Sequence, residues 1–239
     1  MADTVGGMFA AAVAADPTRP LLTWYDDRTG ERTELSGASL DNWVAKTANL
    51  LVGGLGLGVG DRVGVLLPPH WQTAAVLLGS WSAGLTVSVK PRDVEVLFAA
   101  AGRADKAAGW PAGDRYALAL APLAAPLRTV PAGFADYVVE VRTHGDRFTP
   151  YAPVSGADMA TASGPKTHAE LCLAAVERAA ALGIGAGRRV LIDANAHPDP
   201  IDWLLAPLAA GASIVLCGHM DPGKLADRAA AERVTVILT

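Results

Sequence analysis

The chain has 239 residues, 51% of them hydrophobic and 18% charged, with a net charge of −4. That composition belongs to one large or two small globular domains and not to a disordered chain. It excludes a basic groove for nucleic acid and any long-range attraction to anionic lipid, and two distant cysteines, Cys172 and Cys217, exclude a disulfide framework.

In chain order, the N-terminal stretch "MADTVGGMFAAAVAADP" carries Asp3 and Asp16 and no basic residue ahead of its apolar part, a poor signal peptide. No apolar run is long enough for a membrane span, so the chain is expected in the cytoplasm with both thiols reduced. "SLDNWVAKTANLL" places Leu40, Val44, Thr47, Ala48 and Leu51 on one helical face, with Ser39 as N-cap and Asp41 in the first turn. A glycine-rich loop, "GGLGLGVGD", leads into a strand, "RVGVLLP", that ends at Pro68 and Pro69. "HWQTAAVLLGSWSAG" reads as a helix stopped by Gly84, and "LTVSV" as the next strand. Beyond it, "RDVEVLFAAAG" reads as a short helix, "DRYALALAPLAAPL" as strand then helix, and "ADYVVEVRTHGDRF" as a strand closed by a turn at His144–Gly145–Asp146. "TPYAPVSG" is linker-like.

An internal repeat follows. "LGLGVGDRV" at 55–63 returns as "LGIGAGRRV" at 182–190, an offset of 127 that continues without a gap: His70 falls on His197, Gly84 on Gly211 and Val87 on Ile214. The second copy reads as a helix, "HAELCLAAVERAAAL", a strand, "RVLIDA", a helix, "DPIDWLLAPLAAG", and a strand, "ASIVLC". It adds a helix capped by Asp221 and a last strand, "VTVILT". Strands separated by helices predict an α/β fold of two related βα subdomains, with mainly parallel sheets flanked by helices. The subdomains are placed at 1–155 and 156–239. Trp71, Trp81 and Trp203 fall on apolar helices and belong to the core, and Cys172 reads as a small buried apolar residue, not a nucleophile. His197 with Asp193, Asp199 and Asp202 fits no standard metal-ligand spacing, and no metal is expected.

The run "ASGPKTHAEL" precedes the second-copy helix. It reads in two ways. Thr167 as N-cap with Glu170 three residues on is a capping box, while Ser163, Gly164, Lys166, Thr167 and His168 are also the materials of an anion cradle. His197 reads either as a loop histidine ahead of a helix cap or as a pocket residue.

These motifs together resemble the adenylate-forming enzymes: the acyl- and aryl-CoA synthetases, luciferases and peptide-synthetase adenylation domains. "LGVGDRVGVLLPPHWQTAAVLLGSWSAG" is similar to that superfamily's opening, and "THAEL" to its Thr-His-x-Asn-Leu after the phosphate loop. The resemblance implies the fold of the family's N-terminal domain. It makes Ser163, Gly164, Lys166, Thr167 and His168 the counterparts of phosphate-loop and nucleotide contacts, and His197 a substrate-pocket histidine. The loop departs from the family's Thr-Ser-Gly-Thr-Thr-Gly-x-Pro-Lys-Gly: "ASGPKTH" lacks the Thr-Thr-Gly arm and the return strand. The sequence also ends at Thr239, ahead of the family's adenine, magnesium and ribose motifs and its C-terminal lid with the catalytic lysine. The expectation is a non-catalytic, ligand-binding homologue with no required cofactor, no lid domain and residual binding of ATP, AMP or CoA, or of a small carboxylate. The alternative is a ligase component completed by another chain. A homodimer through the apolar last strand is expected because exposed strand edges pair readily.

Overall fold

The computed structural model describes residues 2–239. Helix α1 (Val5–Ala15) is capped by the Thr4 hydroxyl, which accepts from the Gly7 N–H. It leads to an antiparallel hairpin, β1 (Pro20–Asp26) and β2 (Glu31–Ser36), a pair the sequence reading passed over. Helix α2 (Gly37–Asn49) follows and runs on through a π-helical turn to Gly54. Its cap is Ser36, which accepts from the Ser39 N–H, so the cap lies three residues before the expected one at Ser39. The expected face is the buried one: Leu40, Val44, Thr47, Ala48 and Leu51 are all shielded from water.

Then come β3 (Arg62–Leu66), α3 (Trp71–Ser82) and β4 (Thr86–Ser88). The next segment corrects the sequence reading. Val94–Ala100 is not a helix but strand β5, buried between β3 and β6 (Ala112–Leu118). Its Val-Glu-Val-Leu-Phe start suits a pleated, doubly covered site, and pairing on both edges overrides any helical tendency of its alanines. A short turn and α4 (Ala104–Ala107) separate the two strands. The helix expected after β6 is a single tight turn at Pro122–Ala124, hemmed by Pro122 and Pro126. The strand expected at Tyr137 is only β7 (Ala135–Asp136). Asp136 then accepts from the Val138 and Val139 N–H groups and starts helix α5 (Tyr137–Val141).

A second hairpin, β8 (Met159–Thr161) with β9 (Lys166–Thr167), precedes α6 (His168–Ala181). The return strand expected to be absent is present, reduced to two residues. The chain closes with β10 (Arg189–Asp193), a π-helical turn at Ile201–Leu205 running into α7 (Ala206–Ala209), β11 (Ser213–Gly218), α8 (Leu225–Ala231) and β12 (Val236–Leu238).

The repeat is a structural one. β3 and β10 lie at the same offset, as do the first residues of β4 and β11. The Gly60 N–H donates to the Gly84 carbonyl at 3.0 Å just as Gly187 donates to Gly211 at 3.2 Å. Two sheets result, ordered β12-β10-β11-β1-β2 and β7-β6-β5-β3-β4-β8-β9, parallel except for the two hairpins. Strands do not sort by position in the chain. β1 and β2 join the second copy's sheet through β1–β11 pairing, and β8–β9 join the first copy's sheet beside β4, so the sheets cross the boundary placed at residue 155 in both directions. Helices α1, α2, α3, α6 and α7 fill the space between and share one apolar core with both sheets, including Trp71, Trp81 and Trp203. No helix among the described residues is long and apolar enough to cross a membrane.

Candidate functional site

The carboxyl ends of parallel strands leave crevices where α/β proteins bind ligands. Here β3, β4 and the β8–β9 turn face the segment after β10 across a cavity of about 550 Å³. Its wall is mainly apolar, with Leu66, Leu77, Val87, Leu171, Ile201 and Trp203 among its residues. Ser163, Gly164 and Lys166 border it, and so does Arg103, which the sequence reading did not single out.

The hairpin turn is held in place by α3 and β4. The Trp81 indole donates to the Ala160 carbonyl at 2.9 Å, and the Ala162 N–H donates to the Val87 carbonyl at 2.9 Å. Gly164 takes φ +78°, a left-handed conformation that suits glycine. The turn has few donors to offer an anion. Pro165 has no N–H, Ala162 is engaged, and only the Ser163 and Gly164 amides are left in the Ala162–Pro165 stretch. Its hydroxyls are turned inward as well: Thr161 donates to the Gly164 carbonyl at 2.9 Å, and Ser163 pairs with Ser88 at 3.0 Å.

The other residues of the run are placed apart from the cavity. Thr167 caps α6, accepting from the Glu170 N–H at 3.2 Å while the Glu170 carboxylate accepts from the Thr167 N–H at 2.8 Å. The bond from the Thr167 N–H, ahead of its other contacts, lowers the Glu170 pKa. His168 is fully buried, and its Nδ1 accepts from the Val5 N–H at 3.3 Å, which ties α6 to the start of α1. Burial lowers the His168 pKa against the opposing pull of Asp158 and Asp3. His197 is absent from the cavity wall although its neighbours Pro198, Asp199, Pro200 and Ile201 line it. Its Nδ1 lies 3.2 Å from Asp202 Oδ2, and Arg178 grips the same carboxylate at 2.6 and 2.8 Å. That bidentate grip, ahead of the other contacts, holds the Asp202 pKa down. Asp193 accepts from the Asn195 N–H and Asp199 from the Ile201 N–H, so these carboxylates serve the local turns.

His70, the counterpart of His197 in the repeat, caps α3 by accepting from the Gln72 N–H at 3.1 Å and packs edge-on to Trp24. Burial pushes its pKa down to about 3. Both cysteines are free and buried, and burial raises each thiol to about 11, which keeps them protonated and inert.

Two sheets over one helical core, with a strand-end crevice beside a short hairpin, give the α/β fold seen in the N-terminal part of acyl-CoA synthetases. The described residues superpose on an acyl-CoA synthetase from Brucella canis with TM-score 0.76 at 18% identity, covering 98% of this chain and 46% of that one. They superpose on acetoacetyl-CoA synthetase from Streptomyces lividans with TM-score 0.73 at 19% identity, covering 98% and 42%. The chain thus spans less than half of those enzymes. A family model described as AMP-binding enzyme matches residues 9–93. A Mycobacterium tuberculosis protein described as a TIGR03089 family protein is 42% identical over 241 residues, covering 98% of this chain and 97% of that protein. The chain belongs to the TIGR03089 family, a branch with the AMP-binding, acyl-CoA-synthetase-like architecture.

Proposed function

We propose that this chain is a non-catalytic homologue of the adenylate-forming enzymes that binds a small amphiphile in the crevice without activating it. The observation that carries the reading is the β8–β9 turn. Two uncommitted amides cannot wrap a triphosphate, which needs a run of N–H groups converging on its oxygens. The cavity beside the turn is intact and mostly apolar, the usual character of a small-molecule site. Its occupant is an acyl or aryl carboxylate, CoA or an adenine nucleotide. No metal or cofactor is required for such binding.

Thermal-shift measurements with fatty and aryl acids, ATP, AMP and CoA test the binding, since a ligand specific to the folded chain raises its Tm. Pyrophosphate exchange with ATP tests the absence of activation. The reading expects a shift with at least one acid and no exchange. Exchange abolished by Lys166→Ala would replace it with the second reading, a ligase component, which the position of Ser163, Gly164 and Lys166 on the cavity rim favours.

A homodimer belongs to the same proposal. β12 is the outer strand of its sheet and Ile237 on it is 47% exposed, so a second copy can extend the sheet there. A monomer by light scattering at high protein concentration removes that part.

A further inference from the structure

The protons of the cavity wall are unevenly committed. Thr73 donates to the Pro68 carbonyl at 2.7 Å and Thr161 to the Gly164 carbonyl at 2.9 Å. Ser88 donates to the Lys90 carbonyl at 2.8 Å, which leaves it only lone pairs for Ser163, so Ser163 is the donor of their 3.0 Å bond. The Trp81 N–H is taken by the Ala160 carbonyl. The hydroxyl protons of Thr73, Thr161 and Ser163 are therefore all spent within the chain. The charged donors are Arg103 and Lys166, and among the described residues no carboxylate lies within ion-pair distance of either. Asp199 is the acid on the wall, and its Oδ1 accepts from the Ile201 N–H.

The topology explains how the two cations meet one cavity. Arg103 follows directly on the end of β5, on one side of β3, and Lys166 lies on β9, beyond β4 on the other side. They bracket the carboxyl ends of β3 and β4. A guanidinium offers five N–H donors in a planar fork that matches a carboxylate or a phosphate, which an ammonium cannot do.

We propose that Arg103 is the specificity-determining anchor of this site, engaging the acid head group of a ligand whose apolar part fills the cavity, with Lys166 as the second cation. Arg103 thus does the work that the shortened turn no longer does. The inference rests on the amphiphile-binding reading above. The head group is a carboxylate or a phosphate monoester, the two anions that suit a guanidinium fork.

Calorimetric titration of the full chain with decanoate, decyl phosphate and decanamide tests it, using wild type, Arg103→Ala, Arg103→Lys and the cavity-filling Val87→Phe. The expected result is that wild type binds at least one of the two acids better than the amide, and that Arg103→Ala weakens that acid about tenfold or more, as loss of a charge-assisted bond does. Arg103→Lys restores only part of the loss, and the amide is indifferent to both changes. The tighter of the two acids identifies the head group. Arg103 has no ion-pair partner among the described residues, so the unliganded Tm of the two Arg103 variants stays at the wild-type value. Equal acid binding by wild type and Arg103→Ala, with Val87→Phe abolishing it, overturns the role of Arg103 and leaves the cavity reading standing. Wild type that binds none of the three overturns both.

Discussion

Ser163 gives its hydroxyl proton to Ser88 across 3.0 Å, and Ser88 passes its own to the Lys90 carbonyl at 2.8 Å. A hydroxyl that a phosphate loop would aim at its nucleotide is here part of the hairpin's attachment to β4. Ser163→Ala is expected to lower stability by about 1 kcal/mol, the net worth of a partly buried hydrogen bond, and to leave ligand affinity unchanged. Urea denaturation beside the acid titrations checks both halves. A selective loss of affinity would return Ser163 to the binding site.

His168 makes a second test of the same run. Its ring accepts from the buried Val5 N–H, so His168→Leu leaves that amide without a partner and is expected to cost about 1–3 kcal/mol. Ligand binding should persist at temperatures where the variant is folded. If nucleotide or acid binding is lost from a variant of native stability, the residue contacts ligand after all.

The pH dependence has a definite sign. Burial works against the Glu232 carboxylate, but hydrogen bonds from Tyr25, Arg189 and Arg32 outweigh it and bring its pKa to about 2. The Arg228 guanidinium brings Asp27 to about 2 as well. These depressed acids stabilise the fold above their unfolded values near 4, and that contribution falls away as pH drops toward 2. His70, held near 3, and His168, also lowered, bind protons more readily when unfolded. Their contribution is present above about 6.5 and declines as pH falls below it. Stability should therefore decrease steadily from neutral pH into acid. Circular-dichroism melts across that range check it, and a Tm that rises on acidification contradicts the buried, neutral histidines.

The repeat permits a paired measurement. Gly84 and Gly211 are counterparts with φ of +76° and +68°. A Cβ on Gly84 would meet Val59 and Val154 side chains at 2.9 and 3.0 Å, whereas nothing lies within 4 Å of one on Gly211. Alanine at either site adopts a left-handed conformation at a cost of about 1–2 kcal/mol. Gly84→Ala should cost measurably more because it also crowds the two valines. Equal losses in parallel denaturation curves would refute the distinction.

Arg178 and His197 share the Asp202 carboxylate. Arg178→Ala should free the loop at 194–200 and increase its amide exchange. Unchanged protection there would mean that His197 and Asp202 hold the loop without help.

What could be read in the amino-acid order is local or periodic. Helical faces, glycine turns, the capping box at Thr167 and the 127-residue repeat all depend on neighbours within a turn or two, or on a pattern copied along the chain. The elements of both copies fall where that pattern puts them. The hairpin of β1 and β2 also had a local mark, "YDDRTGER" between apolar and alternating runs, but nothing in it indicates that β1 pairs with β11, some 190 residues on.

Tertiary structure decided the rest. Val94–Ala100 is a strand because two neighbouring edges are free to bond it, not because its residues exclude a helix. His168 and His197 turn away from the cavity toward Val5 and Asp202, and Arg103 arrives at the cavity because β5 lies beside β3. Strand order and side-chain direction follow from which apolar faces can be covered at once, a condition on the whole chain that no short stretch of it contains.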